Sequence, residues 1–394
     1  MHFCCLVALM PISTMAEGLF EFEPYVSSSV SYDDNVFRFS SPEQAKASLG
    51  TDKTSDVVTN LEAGLAVNLR LSRQLVSATA GMSENKYSRF KNLDNTGKNY
   101  GLRWDWHLGS DLYGELSVNE SEAVAGFDEA RAPVKNLRTN NRRLASINWD
   151  FLPDWTLNAS RERVELENAL ASSKSTDRQD DIYEAGIRYH NRLDTQLGLA
   201  YRIADSTFPN RESLIQSLLG EKSSQQEVVV SAIWRPVTKI KLSTRLSQVS
   251  LTRSNSSLND LSGFSQHWNM DYSPTFKLSF NLAAYRDVSP VDDVVTTYVR
   301  ATGFDFNPSW NVTSKISLRG NAGYSERIYL GSASLSNGNI ERVDESRLVG
   351  ISLIYTPTLK SLLELQYKGE KRTSNIENLG YRFNNINFIF RYNF

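Results

Sequence analysis

Three histidines beyond the first few residues, His107, His190 and His267, are the first candidates for proton-transfer chemistry. A serine hydrolase needs serine, histidine and a carboxylate or amide converging in space. Only "SQHWNM" (265–270) approaches this, with Ser265 and His267 two residues apart and so on one face of a strand. No glycine-rich elbow and no second histidine accompany them. His107 follows Trp106 beside a turn, and His190 opens the turn "NRLD". A second cluster, Asp33, Asp34 and Asn35, is rich in oxygen. It lacks the glycine and distal glutamate of a calcium loop, so it reads as the end of a first strand. Both cysteines, Cys4 and Cys5, lie in the leader described below, which excludes thiol catalysis and Cys-ligated metal from the mature chain. The residues point to no enzyme, no metal and no cofactor.

The elements that carry these residues alternate apolar and polar side chains over long stretches. Examples are "LEAGLAVNLRL" (61–71), "TQLGLAYRI" (195–203), "TKIKLSTRLS" (238–247), "FKLSFNLAAY" (276–285) and "KISLRGNAGY" (315–324). Period two marks strands. Strands of soluble proteins average about five or six residues, whereas a strand crossing a bilayer needs about nine to eleven. Short turns separate alternate pairs: "LSRQ" (71–74), "LGSD" (108–111), "LPDW" (152–155), "NRLD" (191–194), "RPVTK" (235–239), "SPTFK" (273–277), "NPSWNVTSK" (307–315) and "TPTLK" (356–360). Pro153, Pro236, Pro274, Pro308 and Pro357 fit turn chemistry and would break a strand interior. The other connections, such as 40–56, 126–138, 207–223, 253–261 and 328–342, are longer and more polar. Short turns on one side and long loops on the other are the asymmetry of an outer-membrane barrel.

The count is 18 strands, with 16 as the nearest alternative, in an all-β, antiparallel up-and-down transmembrane barrel. An even number lets the first strand, near Tyr25–Phe39, pair with the last, so that no backbone amide in lipid lacks a partner. A propeller or β-solenoid would cut each repeat of about 40 residues into shorter strands. No Trp-Asp signature recurs here.

The chain of 394 residues opens on a secretory leader, residues 1–16, with "FCCLVALM" as the apolar core and Thr14 and Ala16 at the cleavage site. No Lys or Arg precedes that core, so the true start of translation is expected upstream. Residues 17–394 form one barrel domain. Only a few residues separate Glu17 from the first strand, which leaves no room for a plug domain. A net charge of −2 without a dominant basic patch excludes nucleic acid as a partner. No apolar run is long enough for a membrane-spanning helix.

Aromatic residues collect on the short-turn side: Trp106, Trp149, Phe151, Trp155, Tyr189, Trp234, Tyr272, Phe276, Phe306, Trp310 and Tyr355. They include five of the seven tryptophans, a bias that a water-soluble sandwich would not produce but a membrane girdle does. The opposite face of the strands then lines a hydrated interior. Candidate lumen residues are Arg202, Lys239, Lys241, Arg245, Lys277, Lys315, Arg319 and Arg391, a run that would favour anionic solutes. The alternative is a wall of paired Arg and Glu serving folding alone.

The segment Tyr32, Asp33, Asp34, Asn35, Val36, Phe37 and Arg38 resembles the start of EpsL-type proteins, outer-membrane barrels encoded with exopolysaccharide biosynthesis operons, often beside exosortase systems. The general layout of leader, early "YDDN" segment and hairpins extends that resemblance over the mature chain. It implies a non-enzymatic role in polysaccharide export, with export machinery and an anionic polysaccharide as partners. The other reading is a general-diffusion or structural porin.

The chain closes on "NNINFIFRYNF" (384–394). Ile386, Phe388, Phe390, Tyr392 and Phe394 should face lipid, and Asn385, Asn387 and Arg391 the lumen. The terminal aromatic resembles the signal read by the outer-membrane barrel assembly machinery, although Phe388 stands where that signal often has glycine. Removing Phe394 is expected to impair insertion. Normal membrane levels of the truncated protein, measured by heat-modifiable gel mobility, would contradict this.

Overall fold

A computed structural model describes residues 19–128, 133–191, 194–254, 261–290, 298–330 and 341–394. The leader, with Cys4 and Cys5, lies outside these residues. The strands begin with β1 (Phe20–Asp33), β2 (Asp56–Leu71), β3 (Gln74–Tyr87), β4 (Asn95–Leu108), β5 (Leu112–Val124) and β6 (Leu137–Leu152). They continue with β7 (Trp155–Asn168), β8 (Arg178–His190), β9 (Gln196–Thr207), β10 (Lys222–Val237), β11 (Ile240–Arg253) and β12 (Leu261–Tyr272). The last are β13 (Leu278–Pro290), β14 (Tyr298–Asn311), β15 (Ile316–Leu330), β16 (Arg342–Thr358), β17 (Ser361–Ser374) and β18 (Tyr381–Asn393).

All 18 strands form one antiparallel sheet, closed by β1 against β18. The seam runs from Tyr25↔Asn393 to Asp33↔Asn385, and the amide of Phe394 donates to the Pro24 carbonyl at 2.9 Å. The terminal strand is thereby paired along its length, as the closing-strand reading of its alternation requires.

Strands of 12 to 17 residues exceed what lipid demands, so their ends project beyond the bilayer toward the long loops. Three prolines differ from their expected place. Pro236, Pro308 and Pro357 lie inside β10, β14 and β16 rather than in turns. Pro236 and Pro357 sit at register shifts, between Trp234 and Val237 and between Tyr355 and Thr358, where a missing amide breaks no regular ladder. Pro308 pairs with Phe280 on β13, while pairing toward β15 skips from Phe306 to Ser309. The first strand also ends sooner than expected, at Asp33, because the Asn35 side chain turns the chain onto Phe39.

Period two sorts the side chains. Leu61, Leu102, Leu199, Val230, Ile351 and Phe388 stand outward, each about half exposed. So much apolar surface would drive aggregation in water, and it is matched to acyl chains instead. Exposed Trp149, Trp155, Trp234, Phe276, Trp310 and Tyr355 ring the short-turn end. Trp155 packs on Tyr189 at 5.2 Å, and Trp149 on Phe151 at 6.0 Å.

Inside, aromatic rings cover glycines on the paired strand. Tyr25 lies across Gly64 and Tyr285 across Gly303. A Cβ added at Gly303 would stand 2.4 Å from the Tyr285 ring. Gly303→Val is therefore expected to destabilise the barrel by about 1–3 kcal/mol through overpacking. The midpoint of urea unfolding in detergent measures this; an unchanged midpoint would contradict it.

Candidate channel and mouth

The register that turns the apolar rows outward turns the alternate rows inward. On β4 and β5, Arg103 bonds Asp105 at 2.7 Å and Glu115 at 3.3 Å. Further round, Arg142 meets Glu162 at 2.6 Å and Arg178 meets Asp180 at 2.9 Å. Glu227 on β10 receives Arg202 from β9 and, at 3.3 Å, Arg245 from β11. Arg245 also lies 4.0 Å from Glu184 on β8. His267 on β12 approaches Asp287 at 3.8 Å. Asparagines continue the stitching: Asn281 donates to Asn269 at 2.9 Å, Asn307 to Asn281 at 3.2 Å, and Asn321 to Asn307 at 2.5 Å. Each amide both gives and takes, so an uninterrupted relay crosses β12 to β15.

The cations singled out in the sequence divide into two groups. Arg202, Lys241, Arg245, Arg319 and Arg391 occupy inward rows: Lys241 opposite Asp271, Arg319 between Ser309 and Ser352, and Arg391 with its guanidinium 3.9 Å from the Tyr25 ring. Lys239, Lys277 and Lys315 sit instead at the short turns, where Lys315 Nζ donates to the Pro357 carbonyl at 2.9 Å. Alternation extended past a strand's end assigns a face that a turn does not keep. Of the inward five, Arg202 and Arg245 meet on one carboxylate, and the others stand apart. Glu227 is the residue that sequence reasoning missed. Its i+2 spacing from Gln225 and from Val229 was the available signal, masked by the apolar run around it.

Ser265 and His267 do share a face, but Ser265 Oγ accepts the Val288 amide at 3.1 Å and is almost fully buried. That hydroxyl is committed to holding β13.

At the long-loop end the "YDDN" segment closes the mouth. The Arg38 guanidinium bonds both Asp33 oxygens at 2.9 Å and lies 3.5 Å from the centre of the inward Phe383 ring. The Asn35 side chain accepts the Phe39 amide at 3.0 Å and donates to the carbonyls of Phe39 at 2.8 Å and Arg382 at 3.0 Å. Asp34 takes the amide and side chain of Asn384, both at 2.7 Å. Arg38 has φ 58°, which aims its side chain back across this turn. Phe37 is then fully buried between Phe90 at 4.7 Å and Phe127 at 4.8 Å, beside Val36, Ala45 and Leu93. Helix α1 (Pro42–Leu49) supplies Ala45; Ser41 caps its start and Gly50, at φ 72°, its end. Three loops thus share one apolar core. Asp128, on the loop after β5, accepts at its carbonyl from Arg372 of β17 at 3.0 Å, six strands away round the wall. Loops therefore lie across part of the opening.

Phe37→Ala removes the centre of this core and is expected to cost about 3–5 kcal/mol of loop packing. Limited proteolysis in detergent should then cut within residues 34–55 while the barrel keeps its heat-modifiable mobility. Unchanged resistance would contradict a core built on Phe37.

The sequence matches no family model and no curated protein, so the resemblance to EpsL-type proteins gains no support from them. Solved structures resemble the fold. The BenF-like porin of Pseudomonas fluorescens Pf-5 is 12% identical with a TM-score of 0.53, over 95% of this chain and 98% of that one. OccK9 (OpdG) of Pseudomonas aeruginosa is 9% identical with a TM-score of 0.53, covering 95% and 99%. OccAB3 of Acinetobacter baumannii is 10% identical with a TM-score of 0.51, covering 95% and 100%. Identities this low speak for architecture alone. With its lipid-facing belt, the chain is a closed 18-stranded β-barrel of the bacterial outer membrane, porin-like in form.

Proposed function

We propose that the protein is a non-enzymatic channel for small hydrophilic solutes, with a charged wall of both signs and a mouth narrowed by its own loops. One observation carries this reading. The inward rows hold ion pairs and amides that only a hydrated interior tolerates, above all Arg202 and Arg245 gathered on Glu227. Balanced pairing favours weak, multi-site contact with charged solutes over strong attraction of one sign. Lys241, Arg319 and Arg391 act as secondary contacts along the same wall.

Polysaccharide export is the finer reading, and it rests on the resemblance of Tyr32–Arg38. Those residues are engaged in loop packing, which is reason enough for their pattern without a polymer. The assembly machinery would read Phe388, Phe390, Tyr392 and Phe394 at the end of β18. Deleting the gene and quantifying surface polysaccharide separates the two readings. Unaltered polymer is the outcome expected of a solute channel, and loss of polymer would restore export.

Reconstitution in planar bilayers tests the channel itself. Stepwise conductance is expected, and Arg245→Glu together with Arg319→Glu should shift the reversal potential toward cations by a few-fold in permeability ratio. Lys277→Glu, at a short turn, should shift it far less. Absence of conductance steps, or equal shifts for both, would refute this assignment.

A further inference from the structure

The outward face is not equally apolar all the way round. On β6 the outward row from the girdle reads Trp149, Ile147, Ala145 and then Arg143; on β7 it reads Trp155, Leu157, Ala159 and then Arg161. On β16, across the barrel, Tyr355, Leu353, Ile351 and Val349 precede Arg347. The belt is one outward residue shorter on β6 and β7, about 6–7 Å of strand. Guanidinium groups there sit deeper in the membrane than elsewhere on that face.

Arg143 and Arg161 remain more than half exposed, at 52% and 56%. With Arg163 they share two carboxylates. Glu165 lies 3.2 Å from Arg143 and 4.0 Å from Arg163; Asp181 lies 3.4 Å from Arg161 and 2.8 Å from Arg163. Three guanidinium groups against two carboxylates leave one positive charge in the group. The next outward carboxylate, Glu120, is turned to Asn141 at 2.9 Å. Directly beneath, a groove of about 490 Å³ opens in the lipid-facing wall, floored by Ala145 between Leu102, Trp104, Leu116 and Val118 and rimmed by the three arginines.

We infer that this face binds one phosphate-bearing membrane lipid, its acyl chain in the groove over Ala145 and its headgroup phosphate on Arg143 and Arg161. Arginine's planar fork matches phosphate oxygens, and the residual charge of the cluster has the right sign. An apolar groove below an anion site suits a lipid rather than a free ion. The site is independent of whatever passes through the lumen.

The mature barrel in phosphatidylcholine nanodiscs doped with dioleoyl phosphatidic acid or with diacylglycerol provides the test. Lipid retained after transfer to detergent is counted by native mass spectrometry, and heat-modifiable mobility confirms that each variant is folded. Wild-type protein should keep phosphatidic acid in preference to diacylglycerol. Arg143→Gln with Arg161→Gln should retain about tenfold less, and Arg347→Gln should match wild type. If the double variant fails to insert, Arg161→Gln alone should show a smaller loss in the same direction. Equal retention by the arginine variants overturns the proposal. So does release of the lipid by inorganic phosphate alone, which would mark a free-anion site. A stable oligomer that shields Arg161 and separates in the double variant would place a second copy on this face, and would also overturn it.

Discussion

Inside lipid, every backbone amide and carbonyl needs a partner from the protein, because an unpaired group costs several kcal/mol. The rest of this molecule follows from that constraint. A sheet with open edges would fail, so β18 must return to β1, and the terminal stretch from Asn385 to Asn393 does so against Asp33 to Tyr25. Closure in turn fixes register, and register fixes which residues meet lipid and which meet water. One slipped residue along this seam would send Arg391 into the acyl chains and Phe390 into the lumen.

The charged interior is a consequence rather than an independent feature. A large barrel cannot fill its lumen with apolar side chains, so the inward rows are polar, and the chain arranges them so that neighbours satisfy one another. Glu227 between Arg202 and Arg245, and the asparagine relay from Asn269 to Asn321, show the same solution in charged and neutral form. Hydrophobic burial of the kind found in soluble cores occurs instead at the mouth, where Phe37 gathers three loops. The wall is held by polar pairing and the mouth by packing, so the two can be altered separately.

Much of this was legible in the sequence because the signals are local. Alternation in segments such as 61–71, the girdle tryptophans and the grouping of short turns gave strand number, orientation and closure. What stayed illegible depends on contacts across the sheet. Lys239, Lys277 and Lys315 carry the same charge as Arg245, and only the positions of the turns separate them from the wall. Pro236 and Pro357 look like turn residues until a register shift makes room for them inside a strand. The "YDDN" segment resembled a family mark, and its side chains prove to be bonded to β18, some 350 residues away in sequence. No reading of residues 31–40 alone contains Asn384 or Phe383. Glu227 was hidden for the same reason, since its meaning comes from strands on either side.

The β1–β18 seam is the point on which the account turns, and one cross-link tests it. Ser29 and Ile389 are direct partners on the inward face, and cysteines at paired positions lie within disulfide reach. Ser29→Cys with Ile389→Cys should form a disulfide efficiently in the membrane-inserted protein, while Ser31→Cys with Ile389→Cys should form it poorly. No cross-link at the first pair, or equal cross-linking at both, would contradict the closed register described here.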